Sequence, residues 1–263
     1  MNDVQNQSDS RGVEIQKVGI KDFEIPLSIQ RKDDTDIVIY AVATASVSLP
    51  AHYKGTHMSR FVEILNEWRS KQTLGTDIKG CVEAMIKNLD AKSGYIQFDF
   101  KYFIDKKSPV TGISAPMCYD CSFEGVLDNF GEEDEEYKFY LGVDVPVTTL
   151  CPCSKEISKY GAHNQRALVS VNITYPEDEH IWLEDLIDDI EKCASAQLYP
   201  LLKREDEKYV TEHAYENPKF VEDVLRDVVL KLRENEIIDS FEVECESMES
   251  IHNHSAWAYQ QEG

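Results

Sequence analysis

Between two strand-like runs lie Cys151-Pro-Cys-Ser-Lys-Glu-Ile-Ser-Lys-Tyr-Gly-Ala-His163-Asn-Gln-Arg166, sixteen residues that hold two thiols, an imidazole and three cations. Thiolate sulfur and imidazole nitrogen are the ligands that a borderline-soft ion such as zinc prefers, and a turn between strands can aim both at one ion. The same pair also suits covalent chemistry, because a histidine that lowers the pKa of a neighbouring cysteine makes it a nucleophile. The plainest alternative is packing with one satisfied hydrogen bond.

Three other places could complete such a site. Lys203 to Glu212 mixes acids with cations between two expected helices. As a solvated charged loop it is inert; as part of a site, Glu207 would join Cys151 and His163 around a metal and leave one position open for water. Glu222 falls on the opening turns of a helix expected to begin at Asn217-Pro218, where a carboxylate complements the helix dipole. A carboxylate there can also hold the amidine edge of a guanine through two parallel hydrogen bonds. Glu249-Ser-Ile-His252-Asn-His254 lies between the last two strands, and a histidine near an acid can carry protons at neutral pH. An exposed turn is the plainer reading of that segment. Cys118 and Cys121 do not join Cys151 and Cys153 in a four-cysteine site, because an odd separation on a strand sends side chains to opposite faces.

The chain as a whole limits what such residues can serve. A formal charge of -22 over 263 residues repels polyanions, which excludes DNA or RNA as the main partner, since nucleic-acid binding draws on phosphate neutralisation. A small anion remains possible where cations converge, as at Lys155, Lys159 and Arg166 or at Lys203, Arg204 and Lys208. No run approaches the ~18 apolar residues of a membrane span, and the first thirty residues are polar and acidic rather than signal-like, so a cytoplasmic protein without membrane association is expected. Seven cysteines, an odd number, fit reduced thiols, with Cys81, Cys193 and Cys245 on apolar faces as core residues.

The elements that must position these residues follow from periodicity. Residues 1–32 show none and are expected to form a loose arm. A strand is predicted over 37–48, helices over 58–68 and 78–89, and strands over 96–102 and 118–126, closing on an acidic turn at 131–136. The second half repeats that order, with strands over 139–147 and 167–173, helices over 182–190 and 218–232, and strands over 241–245 and 255–259. The fold class is therefore α+β: two similar modules, 33–136 and 137–263, each an antiparallel sheet with a helix pair on one face. Alternation of apolar and polar residues leaves the other sheet face uncovered, to line something such as a wet barrel built by several subunits.

Taken together these residues resemble the type IB GTP cyclohydrolase family of the tunnelling-fold superfamily. The matching stretches are Lys54 to Arg60, Pro146 to Cys153, Ser154 to Ser158 with Tyr160 to Arg166, Asp206 to Glu212, Ala214 to Pro218, Phe220 to Asp223 and Glu249 to His254. The block from Cys-Pro-Cys to His-Asn-Gln-Arg is the specific one. The resemblance implies two tandem tunnelling-fold modules per subunit, a homotetramer forming a barrel with sites at subunit interfaces, and conversion of GTP to 7,8-dihydroneopterin triphosphate and formate, the first step of tetrahydrofolate synthesis. It implies one divalent ion per subunit, zinc or manganese, on Cys151, His163 and Glu207. It also implies His252 with Glu249 as the proton-handling pair, and Glu222 as the purine anchor. Glu205 stands where relatives are expected to carry proline, and Cys118 and Cys121 lie outside the pattern; neither departure touches an implied ligand. Two competing classes are a tunnelling-fold pterin or purine enzyme with a nucleophilic cysteine and a non-catalytic zinc-stabilised binding protein.

Overall fold

The computed structural model describes residues 5, 7–69 and 75–263, with 75 and 76 as backbone only. Two compact units interleave along the chain. Unit 1 takes Met1–Lys101, Ser122–Leu141 and Pro176–His180; unit 2 takes Tyr102–Cys121, Gly142–Tyr175 and Ile181–Gly263. Strands β3 (Gly94–Lys107), β4 (Ser114–Asp128) and β5 (Glu136–Leu150) contribute residues to both, so compactness does not follow one cut along the chain.

Unit 1 opens with a strand whose period is broken. Residues 15–30, read above as part of a loose arm, form β1 (Ile15–Gln30), antiparallel to β2 (Asp36–Leu49). Its second half buries Ile25, Leu27 and Ile29 in strict alternation, but register shifts between Ile15 and Val18 and between Ile20 and Phe23 break the period upstream. Asp22, with φ +57°, sits inside the second shift. A strand interrupted twice shows no continuous alternation, which is why its periodicity was hidden. Of that arm, residues 1–4 and 6 lie outside the described residues. The strand order in this unit is β1-β2-β3-β4-β5. Helices α1 (Met58–Trp68) and α2 (Gly75–Leu89) pack on β1 and β2 respectively and on each other. Phe61 and Leu65 of α1 and Ile78, Val82, Met85 and Ile86 of α2 are buried, and β2 offers Ala41, Ala43 and Ala45, whose small side chains let the helices approach. Each fully buried Leu, Ile or Phe contributes ~1.5–3 kcal/mol.

Unit 2 orders its strands β3-β4-β5-β6-β8-β9, with β7 (Ala196–Gln197) beside β5. Here β6 (Asn164–Thr174), β8 (Ser240–Ser247) and β9 (Ala256–Glu262) pair antiparallel in sequence. Two helices, α4 (Leu183–Lys192) and α6 (Val221–Arg233), pack against each other, and α6 also lies on β8 and β9. Their buried stripes, Leu186, Ile187 and Ile190 on α4 and Val224, Val228 and Leu232 on α6, carry the 3.6-residue period read from the sequence. The helix expected to open at Asn217-Pro218 starts instead at Val221. Asn217 ends the preceding helix, the Lys219 amide donates to the Leu150 carbonyl, and Asp223 takes the Phe220 amide as cap.

Two elements of unit 2 lack a readable stripe. The charged segment expected to be a loop is helix α5 (Arg204–Glu216), with Asp206 and Ala214 its only buried residues. A six-residue helix, α3 (Pro152–Ile157), occupies the Cys/His segment and buries none. Among the described residues no helix is long and apolar enough to cross a membrane.

Candidate active site

The Cys/His segment is closed by short-range bonds of its own. Cys151 is the N-cap of α3, with Pro152 at the first helical position, where a missing amide proton costs nothing. The Ser154 amide donates to Cys151 Sγ at 3.4 Å, and the Ser154 hydroxyl donates to the Cys151 carbonyl at 3.1 Å. That hydroxyl also accepts from the His163 amide at 3.2 Å, while the Cys151 amide donates to the His163 carbonyl at 3.1 Å. Gly161, at φ +140°, supplies the backbone turn that returns the chain to His163. Leu150, the residue before the cysteine, is tied on both sides, by the Ser195 hydroxyl at 3.2 Å and the Lys219 amide at 3.1 Å. The sequence therefore brings Cys151 and His163 together on a rigid frame.

The rest of the site comes from one end of the sheet. On β5, β6 and β8 the inward positions are apolar: Val143, Val145 and Val147; Ala167, Val169 and Val171; Val243 and Cys245. The next inward position at this end of each strand is polar: Thr149, Gln165 and Ser247. Thr149 and Ser247 are 1% and 0% exposed, and their hydroxyls lie 3.1 Å apart. Gln165 Nε2 donates to Thr149 Oγ1 at 3.0 Å and to Glu249 Oε1 at 3.3 Å, and Ser247 Oγ donates to Glu249 Oε1 at 3.0 Å. Gln165 Oε1 sits 2.9 Å from His163 Nδ1, and Glu249 Oε2 is 3.8 Å from the same nitrogen. Gln165, Thr149 and Ser247 were not singled out from the sequence. The signal was present, since in each strand the apolar alternation turns polar at the same end without losing its period.

The structure distributes the other expected residues as follows. Glu249 faces His163 and Gln165. His252 lies on the exposed turn after it, its ring stacked on that of His254 with centroids 5.1 Å apart. Glu222 is exposed on the first turn of α6 and near enough to β8 that its charge, after burial, helps push the Cys245 thiol up to about 12. Glu207 is exposed on the first turn of α5. It shares a helical face with Val210, Thr211 and Ala214, and Val210 and Ala214 pack with Leu150 and Ala162 of the Cys/His segment. A cleft of about 560 Å³ opens along this packing, lined by Lys159, Tyr160 and Asn164 from the segment and by Thr211, Glu212 and Glu216 from α5. Cys118 is exposed and Cys121 buried on β4, the opposite faces expected of them.

Beside Glu207 stands a residue the sequence reading passed over. Asp206 is 0% exposed and accepts from the Val110 and Thr111 amides, both at 2.9 Å, the Thr111 hydroxyl at 2.7 Å and the Lys203 amide at 2.9 Å. Burial alone would raise its pKa, but the Thr111 and Lys203 amides, with the other two donors, outweigh it and hold the carboxyl well below the usual range. This anchor makes a helix of an otherwise polar segment and sets the start of α5.

As a metal site, the donors divide. Cys151 and His163 offer a sulfur and an imidazole on a fixed frame, with Nδ1 engaged by Gln165 so that Nε2 is the nitrogen left to coordinate, a donor pair that suits zinc, while manganese would lean on the carboxylate. Among the described residues no group of three or more His, Cys, Asp or Glu is gathered to hold an ion, so the carboxylate donor is not preassembled with them.

Fold and site define an α+β protein with an anchored thiol–imidazole pair at the polar end of an antiparallel sheet. Comparison with known proteins then places it. Residues 1–258 match the family described as type I GTP cyclohydrolase folE2, and the chain belongs to that family. It is 49% identical over 258 residues to GTP cyclohydrolase FolE2 of Geotalea uraniireducens, covering 98% of this chain and 92% of that one. It is 50% identical to the FolE2 of Thermosipho africanus, covering 98% and 96%. In fold it is similar to uricase from Arthrobacter globiformis, with a TM-score of 0.55 at 8% identity over 94% of this chain and 92% of that one. A uricase from Bacillus fastidious gives 0.54 at 9% identity, over 94% and 93%.

Proposed function

We infer that this chain is a GTP cyclohydrolase that opens the guanine imidazole ring of GTP at C8, giving 7,8-dihydroneopterin triphosphate and formate at the first step of tetrahydrofolate biosynthesis. The observation that carries the reading is near-half identity, along almost the whole chain, to relatives named for that activity. The Cys151–His163 pair beside Glu249 is consistent with it.

Ring opening needs water to add at C8, an electron-poor carbon, then cleavage of the C8–N9 bond with a proton delivered to nitrogen, and release of C8 as formate. A divalent ion, when bound, supplies water that ionises near neutral pH. Cys151, His163 and Glu207 would hold it; the frame around Cys151 and the position of Glu207 on the face of α5 that meets the segment support this set. Glu222 would take the guanine amidine edge and turn C8 toward the donors, a role supported by its exposure at a helix start over β8. His252 would carry the proton, with Glu249 as its neighbour, an effect worth ~10²–10⁴-fold. Lys159 at the cleft, with Lys155 and Arg166, would hold the triphosphate.

The same reading gives a cytoplasmic homotetramer of tandem tunnelling-fold modules, 33–136 and 137–263, closing into a barrel with sites at subunit interfaces. The run β1-β2-α1-α2-β3-β4, answered by β5, β6, α4, α6, β8 and β9 with α3, β7 and α5 inserted among them, supports the modules, and β1 extends the first of them below residue 33. Exposed apolar side chains support the assembly, Val38 and Tyr40 on β2 in unit 1 and Trp257 and Tyr259 on β9 in unit 2.

The test is turnover. Protein reconstituted with zinc or manganese and given GTP should form a pterin that fluoresces after oxidation, in a fraction whose light-scattering mass is four chains. In this assay His252→Ala should keep metal and GTP binding but lose roughly 10²-fold in rate, and Glu222→Gln should lose GTP binding. No pterin with any divalent ion would end the proposal, and an active monomer would end the assembly model.

A further inference from the structure

The polar end of the sheet holds more order than a set of satisfied groups requires. Glu249, as a carboxylate, can only accept hydrogen bonds, and Gln165 reaches it from one side of its amide. If the amide oxygen faced Glu249, two acceptors would oppose each other, so the NH2 group faces Glu249 and Thr149 and the oxygen faces His163. An amide oxygen donates nothing, so the proton of the 2.9 Å contact sits on His163 Nδ1 and the ring's lone pair on Nε2. Thr149 Oγ1 is used as acceptor by Gln165, so its own proton goes to Ser247 Oγ, whose proton goes in turn to Glu249. Every donor in the circuit has one direction, set by the one member that cannot donate. The Ser250 hydroxyl, 3.4 Å from Gln165 Oε1, adds a donor on the same sense. With Thr149 and Ser247 fully buried, water competes little for these bonds.

We propose that Gln165 is a positioning residue: through the circuit of Thr149, Ser247 and Glu249 it holds His163 as the Nδ1–H tautomer, turned so that Nε2 alone is free to coordinate. The consequence for metal affinity rests on the reading of His163 as a ligand; the tautomer itself does not.

Isotope-labelled, metal-free protein should be examined by two-bond nitrogen–proton correlation at a pH where the imidazole is neutral. Wild type should show His163 protonated at Nδ1 and bare at Nε2. Gln165→Leu, similar in size but without the amide, should move the proton to Nε2, the preferred tautomer of a free imidazole, and weaken manganese binding by roughly 10–100-fold. Thr149→Val, which deletes one link while keeping its shape, should reduce the Nδ1–H population and serves in place of Gln165→Leu if circular dichroism shows that variant unfolded. Wild-type His163 found as Nε2–H, or the same tautomer in wild type and variant, would overturn the proposal. Manganese affinity in His163→Ala equal to wild type, with the tautomer shift still present in Gln165→Leu, would remove the ligand reading and leave the positioning of the ring in place.

Discussion

Two carboxylates of unit 2, Glu191 and Glu249, are tucked against polar partners, and their surroundings differ in one respect. Glu191, at the end of α4 and 4% exposed, takes Lys106 Nζ at 2.5 Å and the Tyr119 hydroxyl at 2.8 Å. Burial lowers the Lys106 pKa, opposed by Glu191, and burial together with Glu191 raises that of Tyr119. The Lys106 ammonium also lies 4.7 Å above the Tyr199 ring. Every charge in this group is met within it, and its effect is to hold α4 to β3 and β4. The group around Glu249 ends differently, in an imidazole whose second nitrogen has a lone pair and no assigned partner in the circuit. The first arrangement is closed and holds elements together; the second is open at one atom, where the proposed chemistry would act. Asp206, with four donors converging on it, belongs with the closed kind.

The comparison breaks if closed groups control turnover. Glu191→Ala leaves Lys106 buried without its counter-ion and should cost ~3–5 kcal/mol in urea unfolding, with GTP turnover per folded molecule unchanged. Lys106→Met combined with Glu191→Leu should cost less than the single change, because both charges leave together. A single variant as stable as wild type, or one that is folded but inactive, would place Glu191 outside the closed class.

A smaller effect sharpens the comparison through pH. The folded-state pKa of Asp206 lies below its unfolded value, so its contribution is fully present above the usual carboxylate pKa of ~3.9 and is lost as pH falls towards the folded value. Asp206→Asn should therefore melt below wild type at neutral pH, by a margin that narrows below about pH 4. A margin unchanged at about pH 3 would mean that the ionised carboxylate is not what anchors α5.

Much of this is legible in the sequence. Stripes such as Ile78, Val82, Met85 and Ile86, and alternations such as Val143, Val145 and Val147, produced the helices and strands where their period predicted. The misses share a cause. β1 is interrupted by two register shifts, α5 depends on Asp206, which takes three bonds from distant Val110 and Thr111 and one from the Lys203 amide at the helix start, and α3 is too short to have a face. None of these writes a period into the chain. At the site, residue type revealed Cys151 and His163, which the backbone brings together, whereas Gln165, Thr149 and Ser247 took meaning only from their place at the ends of three adjacent strands.

The central claim is that Cys151 and His163 anchor the chemistry of GTP ring opening, and formate release measures it most directly. Zinc- or manganese-loaded wild type should release one formate per GTP consumed. Cys151→Ala, folded to the same extent by circular dichroism, should bind neither ion tightly and release none. Formate release by Cys151→Ala at the wild-type rate, or equal metal content in both proteins, would contradict the account.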